Sequence, residues 1–330
     1  MPPPMTGPLM TGPLIAAGLV VMWSSGFIGA ELGTRQAPAD TLLMWRFLVA
    51  ATLLGGLRLL LRRLRTGRER LPLRALAEQS LIGLLSQGVY LGAIVWAVGL
   101  GVPAGTSALI AALQPLAAGA LAGRLLGETV TRRQWAGLLM GLAGVALVVR
   151  DDLASPAAAP PLAYLLPFAG MAGLLAASFL ERRARHRVRA ADALPVHCAV
   201  SALFFTALAG GAGQGHMEPP MSGPFWLAVA WVVLLSTAGG YGFYWWSLRR
   251  TGVTRTSALI YLTPPTTAVW AYAMFGERPG PLALAGMAVA VLGVVTAVRA
   301  PRRPPGAGPP VSASAAAQLT RPSAKEPQST

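Results

Sequence analysis

Three ionisable side chains lie within or at the end of long apolar runs, where a charge is costly unless it has a partner or a function. Arg46 lies about two turns inside the second run, His197 is early in the seventh, and Glu31 is near the end of the first. A guanidinium can bind a carboxylate or a phosphate through two parallel hydrogen bonds, and an imidazole can carry a proton. Arg46 is therefore a candidate for substrate binding, and the alternatives are a structural pair with Glu31 or a side chain that extends to the outer membrane interface. Glu31 and His197 are candidates for proton or ion coupling.

Polar and aromatic residues recur at helical spacing in several of these runs. Ser107, Ala111 and Gln114 share one helix face, because residues at i, i+4 and i+7 lie one above another. Such residues predict a cavity with polar and apolar walls for a small solute. For each aromatic residue, ordinary packing between helices explains the position equally well. The candidate cavity residues are Trp23, Ser24, Arg46, Gln87, Tyr90, Ser107, Gln114, Pro115, Tyr241, Trp245, Ser257, Tyr261, Pro264 and Pro265.

The residues that enzymes require are scarce in this chain. The three histidines have no carboxylate or second histidine at metal-ligand spacing, and the one lysine is Lys325. No glycine-rich loop ends in a lysine that could hold a nucleotide phosphate. Cys198 is the only cysteine, which excludes an internal disulfide and a cysteine metal cluster. We predict no catalytic residue, no metal and no cofactor, and hence no enzyme.

The elements that position these residues are predicted from composition. The chain is 54% hydrophobic and 12% charged, which is far too apolar for a soluble protein. A helix crosses the hydrocarbon core with about 20 apolar residues. The sequence contains ten such runs and therefore predicts an all-α integral membrane protein with ten transmembrane helices. They are Leu14–Gly33, Ala39–Leu61, Ala77–Leu100, Val102–Leu126, Gln134–Val149, Leu162–Leu180, Leu194–Ala212, Pro224–Leu248, Val253–Phe275 and Pro281–Val298.

The net charge of +15 follows the predicted topology. Most of the 27 basic residues lie in alternate loops and in the C-terminal segment, whereas Arg35, Arg150 and Arg278 lie in the opposite loops. Basic residues accumulate on the cytoplasmic side of a membrane protein, so both termini are predicted to be cytoplasmic. The basic loops can attract anionic lipid, and no nucleic-acid-binding motif accompanies them. We predict a multi-pass protein of the inner or plasma membrane with no nucleic-acid partner.

Two segments about 150 residues apart have nearly the same sequence. Thr106-Ser-Ala-Leu-Ile leads to Pro115 and to Gly127-Glu128, and Thr256-Ser-Ala-Leu-Ile leads to Pro264-Pro265 and Gly276-Glu277. Each proline weakens its helix near mid-membrane, because it removes a backbone donor and crowds the preceding turn. A single proline break could be an ordinary packing kink. Matched breaks in two copies of one unit instead favour a transport site between helices four and nine.

Five helices in each copy place the second copy in the membrane with inverted orientation, because five is odd. We predict a short cytoplasmic N-terminus at 1–13, a first repeat at 14–150, an inverted second repeat at 151–299, and a disordered cytoplasmic tail at 300–330. The tail is rich in Pro, Ala and Ser and cannot form a core. The glycine series that follow both Gly-Glu pairs predict close packing between helices five and ten.

The chain resembles the EamA-type permeases of the drug/metabolite transporter superfamily. Trp23-Ser-Ser-Gly-Phe27 is similar to the signature of helix one, and Pro38 with Arg46-Phe47 is similar to that of helix two. Helices four and nine end in Gly-Glu pairs and precede glycine-rich helices, as in that family. The resemblance covers about residues 14–299 and implies export or exchange of small metabolites, amino acids or drugs across the inner membrane.

These observations together predict a secondary transporter that moves a small metabolite, such as an amino acid, by alternating access, with export favoured. The alternatives are efflux of apolar drugs and a membrane scaffold or sensor that transports nothing. No carboxylate lies deep in a helix, which argues against an acidic proton relay. A facilitator or exchanger remains, or a transporter coupled through His197 or the Glu31–Arg46 pair. The predicted partners are a small-molecule solute and membrane lipid, and a homodimer is an open alternative.

Overall fold

A computed structural model of the chain describes residues 11–64, 71–126, 131–156, 158–186, 188–212 and 216–298. Every regular element within these ranges is helical, which confirms the predicted all-α class for them. The helices are α1 (Thr11–Thr34), α2 (Ala39–Leu64), α3 (Leu73–Gly99), α4 (Ala104–Ala111), α5 (Gln114–Leu126), α6 (Arg132–Leu153), α7 (Leu165–Arg183), α8 (Ala190–Gly211), α9 (223–260), α10 (Thr263–Phe275) and α11 (Pro281–Val298). The predicted tail at 300–330 and Gly127-Glu128 lie outside the described residues.

Several of these helices are long and apolar enough to cross a membrane. Six meet that description, and they fall on predicted spans one, two, three, six, seven and eight. Two shorter apolar helical stretches, Ala104–Ala118 across the turn between α4 and α5 and Pro281–Thr296 in α11, fall on spans four and ten. The chain is therefore a helical membrane protein, while ten complete spans remain a prediction. Spans four and nine are each divided by a turn into pieces too short to cross the bilayer alone.

Both predicted proline breaks are present, at corresponding residues. The first separates α4 from α5, and the second separates α9 from α10. In each break, the amide of the last turn residue donates to the carbonyl three residues earlier, at 3.1 Å for Leu113 and 3.0 Å for Leu262. Pro115 and Pro264-Pro265 then occupy the first turn of the next helix, where a missing amide hydrogen is tolerated. The two copies thus share their local geometry.

Two helices also contain a π-helical segment that the sequence pattern did not predict. It covers Leu84–Val89 in α3 and Val232–Gly240 in α9. The repeats are offset by 150 residues before the prolines, and the first range shifted by 150 falls within the second. The two segments therefore correspond in the two repeats. A π-helical turn holds more residues than an α-helical turn and rotates the side chains that follow it. Such segments often occur at functional sites.

The long helix α9 bends sharply after its π-helical segment. The hydroxyl oxygens of Ser247 and Thr256 lie 2.9 Å apart. Nine residues of straight α-helix would separate these positions by about 13.5 Å. The chain therefore turns back between them, at the position of the predicted loop between spans eight and nine.

The glycines of α6 and α11 allow these two helices to pack backbone against backbone. A Cβ atom added to Gly144 would lie 2.5 Å from the carbonyl oxygen of Gly286, and one added to Gly286 would lie 2.6 Å from the carbonyl oxygen of Gly144. Gly293 approaches Gly137 in the same way. The predicted close packing of these helices is confirmed.

A buried cluster of apolar side chains joins α2, α3, α8 and α9 next to Arg46. Phe47 stacks on Phe205 with 5.6 Å between ring centroids and 4° between ring planes, and both side chains are fully buried. Phe225 of α9 is equally buried in the same cluster. At one end of these helices, Arg58 of α2 forms an ion pair with Asp192 of α8 at 3.5 Å. These contacts fix α2, and with it the position of Arg46.

Candidate functional site

A cavity of about 80 Å³ lies between the two halves of the chain. Helices α1, α2 and α3 of the first half and α7 and α9 of the second half form its walls. Each π-helical segment contributes a serine, Ser86 from α3 and Ser236 from α9. The full lining is Trp23, Gly26, Phe27, Arg46, Ser86, Tyr90, Leu91, Ile94, Val95, Leu174, Ser236 and Tyr241. One polar wall thus faces a larger aromatic and aliphatic wall.

Arg46 supplies the charge in this cavity, although its side chain is only 3% exposed. Its Nη2 donates to Ser236 Oγ at 3.3 Å and to Thr237 Oγ1 at 3.2 Å. Its Nε has no hydrogen-bond partner, and no ion pair to Arg46 occurs among the described residues. The guanidinium also lies 5.4 Å from the ring centroid of Phe47. Because none of these groups is an anion, the buried positive charge is not neutralised. The site is therefore suited to an anion.

The predicted alternative of a Glu31–Arg46 pair is wrong. Glu31 Oε1 instead accepts a hydrogen bond from Arg35 Nε at 2.8 Å. The two residues are four positions apart, so they lie on the same face at the end of α1. The guanidinium of Arg35 also lies 4.5 Å from the ring centroid of Phe275. Arg46 is free of that carboxylate because a nearer arginine binds it.

An aromatic group on α1 and α9 closes one side of the cavity. The Trp23 ring centroid lies 6.2 Å from that of Tyr241 and 5.6 Å from that of Tyr244. Gln87 is buried behind this group, and its Nε2 donates to the Tyr241 hydroxyl oxygen at 3.1 Å. Gln87 therefore positions Tyr241 and does not itself line the cavity.

Gly26 lets α1 approach α9 at the polar wall. A Cβ atom at this position would lie 2.8 Å from Ser236 Oγ. The serine of the second half thus occupies space that a side chain on α1 would otherwise fill. A larger residue at Gly26 would push Ser236 away from Arg46.

Four of the predicted cavity residues meet at this site, namely Trp23, Arg46, Tyr90 and Tyr241. The sequence pattern missed Ser86, Ser236 and Thr237, because the π-helical segments change which side chains face inward. A matched Ser in each repeat at 86 and 236 was the available signal.

Other predicted residues lie apart from the cavity. Ser24 is buried and its hydroxyl donates to the carbonyl oxygen of Thr263, just after the second break, at 3.4 Å. Gln114 donates to the hydroxyl of Ser178 at 3.2 Å, and Tyr261 packs in an apolar cluster. The hydroxyl oxygen of Ser107 is buried without a hydrogen-bond partner.

The predicted prolines also lie outside the cavity around Arg46. Pro115 and Pro264 begin helices after the breaks, and Pro265 lines an apolar groove between α1 and α10. The side chains of Trp245 and Ser257 lie outside the described part of the chain. The cavity around Arg46 is not lined by residues of spans four and nine, whereas the smaller second cavity described below is. A transport site between these two spans stays a prediction.

His197 belongs to a separate polar contact between α3, α7 and α8. Its Nε2 lies 2.9 Å from the amide oxygen of Gln79, whose Nε2 donates to Glu181 Oε2 at 3.3 Å. Gln79 is completely buried. Gly83 packs so tightly here that an added Cβ would lie 2.7 Å from the Cα of His197. His197 does not line the cavity, and its predicted role in coupling stays a prediction.

Two carboxylates that were not among the predicted site residues, Asp152 and Glu277, lie at a second, smaller cavity of about 60 Å³. Asp152 lies in the last turn of α6, and its Oδ2 accepts a hydrogen bond from Thr106 Oγ1 at 2.6 Å. Glu277 lies in the loop between α10 and α11. Burial raises the pKa of Glu277 from 4.5 to about 7; the charges of Glu31 and Asp152 also raise it, and Arg35 lowers it. Within the described ranges, no group of three or more metal-binding side chains occurs here or elsewhere.

Comparisons with known proteins support a transport role. The family model of the EamA-like transporter family matches residues 10–150 and again 162–299. A "Probable terminal-alkyne amino-acid exporter" of Streptantibioticus cattleyicolor is 28% identical over 284 residues, covering 84% of this chain and 89% of the relative. The "Uncharacterized inner membrane transporter YedA" of Escherichia coli (strain K12) is 26% identical over 277 residues, covering 84% and 87%.

A solved structure shares the fold. A protein crystal structure with 23% sequence identity aligns with a TM-score of 0.59, over 87% of this chain and 96% of the other. At this identity the likeness concerns the fold alone.

Proposed function

Since the chain belongs to the EamA-like transporter family, we propose that it is a secondary transporter for a small metabolite, such as an amino acid or a related solute. Members of that family are transporters and not enzymes. The observation that carries the proposal is the cavity between the two halves, with the uncompensated Arg46 in its wall. The solute would bind there through a carboxylate.

Alternating access explains why both halves contribute to the cavity. In an inverted repeat, a change in the packing of one half against the other opens a central site to either side in turn. The matched helix breaks and matched π-helical segments lie in the helices that would move. The ten-helix inverted topology, with both termini in the cytoplasm, is part of this proposal. The exporter and inner membrane names of the relatives favour export across the inner membrane.

A bound carboxylate would complete the hydrogen bonding of Arg46. Its Nε is unused, and a carboxylate can accept from Nε and an Nη at once. The apolar wall of Ile94, Val95 and Leu174 would contact the remainder of the solute. Hydrogen bonds to a charged group contribute about 1.5–3 kcal/mol each.

Efflux of apolar compounds is the second candidate function. An apolar groove of about 550 Å³ opens between α1 and α10 and is lined by Val21, Pro265, Thr266, Val269, Trp270 and Ala273. An apolar compound could enter from the bilayer there. The charge of Arg46 in the central cavity favours a carboxylate-bearing solute over this alternative.

Counterflow in liposomes tests the proposal. Purified protein is reconstituted, and exchange of labelled amino acids, lactate and nucleosides is compared for wild type, Arg46→Ala and Arg35→Ala. Arg46→Ala should lower apparent affinity about tenfold to a hundredfold, because it removes a charge-assisted hydrogen bond. Arg35→Ala is the control, since Arg35 pairs with Glu31 outside the cavity. Equal loss in both variants would contradict the role of Arg46, and no exchange of any solute would overturn the transporter proposal.

A further inference from the structure

The charges around the central cavity distinguish two classes of carboxylate. We infer that the cavity binds a small monocarboxylate anion, which has no ammonium group, more tightly than an amino-acid zwitterion. This inference rests on the proposed function. Arg46 is the charged residue among the described residues that line the cavity, and none of these is Asp, Glu or His. One negative charge on the solute therefore neutralises the site.

A zwitterion would leave the site with an excess positive charge. Its carboxylate would compensate Arg46, but its ammonium would add a second cation to the same buried space. Like charges held close together at low dielectric repel strongly. An ammonium is normally bound by a carboxylate or by several carbonyl oxygens, and the described lining contributes no carboxylate for this purpose.

The polar groups of the cavity are arranged to donate hydrogen bonds. Ser236 Oγ accepts from Arg46, and the Tyr241 hydroxyl oxygen accepts from Gln87. Each hydroxyl therefore keeps its own hydrogen for a further acceptor. With the free Nε of Arg46, these groups form a set of donors that an anion satisfies and a second cation does not.

The size of the cavity limits the solute. A water-sized group needs about 10–15 Å³ of such space. The cavity of about 80 Å³ therefore holds about six non-hydrogen atoms in this conformation. Alanine, lactate and isobutyrate each have six, and they differ only in whether the α-carbon bears an ammonium, a hydroxyl or a methyl group. This series isolates the charge of that one substituent.

Binding to the purified full-length protein in detergent, measured by isothermal titration calorimetry, tests the inference without leakage of weak acids through a bilayer. Lactate and isobutyrate should bind at least about tenfold more tightly than alanine. Phenyllactate and phenylalanine repeat the comparison for a conformation with a wider cavity. Equal or tighter binding of the zwitterion in both series, or no binding of any of the five compounds, would overturn the inference. Counterflow of amino acids in that case would leave the proposed function intact.

A charge variant provides an independent readout. Ser236→Asp places a carboxylate at the present 3.3 Å contact with Arg46, and Ser236→Asn is its uncharged counterpart of the same shape. The Asp variant should lose at least about tenfold in lactate affinity and no longer prefer lactate to alanine. The Asn variant should keep that preference, even with weaker binding. If both variants keep it, the charge argument is refuted; if neither folds, the wild-type series decides.

Discussion

Replacing Glu277 with glutamine should make the thermal stability of the protein less dependent on pH. Glu277 faces Glu31, Asp152, Arg35 and Arg278 around the smaller cavity, and burial raises its pKa to about 7. The folded protein therefore holds this proton more tightly than the unfolded chain does. The contribution to stability is fully present below pH 4.5 and is lost as the pH rises to about 7, when the buried carboxylate becomes charged.

The size of the effect follows from the pKa change. A rise from 4.5 to about 7 corresponds to about 3 kcal/mol, at about 1.36 kcal/mol per pKa unit. Because Glu277 is only partly buried, solvent screening reduces this value to about 1–2 kcal/mol. For a domain of 150–250 residues, about 1 kcal/mol shifts the melting temperature by about 2–4 °C. For this longer chain, about 1 kcal/mol should shift the melting temperature by about 2 °C or less.

Melting temperatures of the purified protein in detergent between pH 5 and pH 8 provide the assay. Relative to Glu277→Gln, the wild type should lose about 2–4 °C across this interval. Glu218→Gln is the control, because Glu218 is an exposed glutamate in the loop before α9. If the melting temperatures of wild type and Glu277→Gln differ by the same amount at every pH, the reasoning is refuted. If the wild type instead gains melting temperature relative to Glu277→Gln as the pH rises, the predicted direction of the pH dependence is wrong.

Two further predictions concern topology and packing. In a Cys198→Ser background, Leu100→Cys and Arg250→Cys occupy corresponding exposed positions of the two repeats. Impermeant thiol reagents should label them from opposite sides of the membrane, and labelling from the same side would contradict the inverted repeat. Gly144→Ala should destabilise the protein by about 1–3 kcal/mol, because its Cβ would meet backbone of α11, whereas Gly55→Ala, which has open space around it, should not. Equal melting temperatures for these two variants would contradict the packing described for α6 and α11.

The sequence alone was sufficient for the features that depend on local chemistry. Long apolar runs predict membrane helices, because each backbone polar group must bond within its own segment. Pro115 and Pro264 predict helix breaks, since proline lacks an amide hydrogen at any position in any fold. The glycines of α6 and α11 predict close packing of the two helices, because their backbones can touch only where no Cβ atom stands between them. Repetition of these features along the chain also predicted the duplication and the family.

The contents of the central cavity depended on tertiary structure. Arg46 was recognisable as an unusual charge, but its contacts Ser236 and Thr237 are about 190 residues away in the chain. Local spacing instead suggested Glu31, which binds Arg35 on its own helix. The π-helical segments rotate the following side chains out of the α-helical period, so periodicity could not identify which serines face inward. Residue types thus determined the membrane helices and their breaks, whereas the packing of one half against the other decided which side chains share the site.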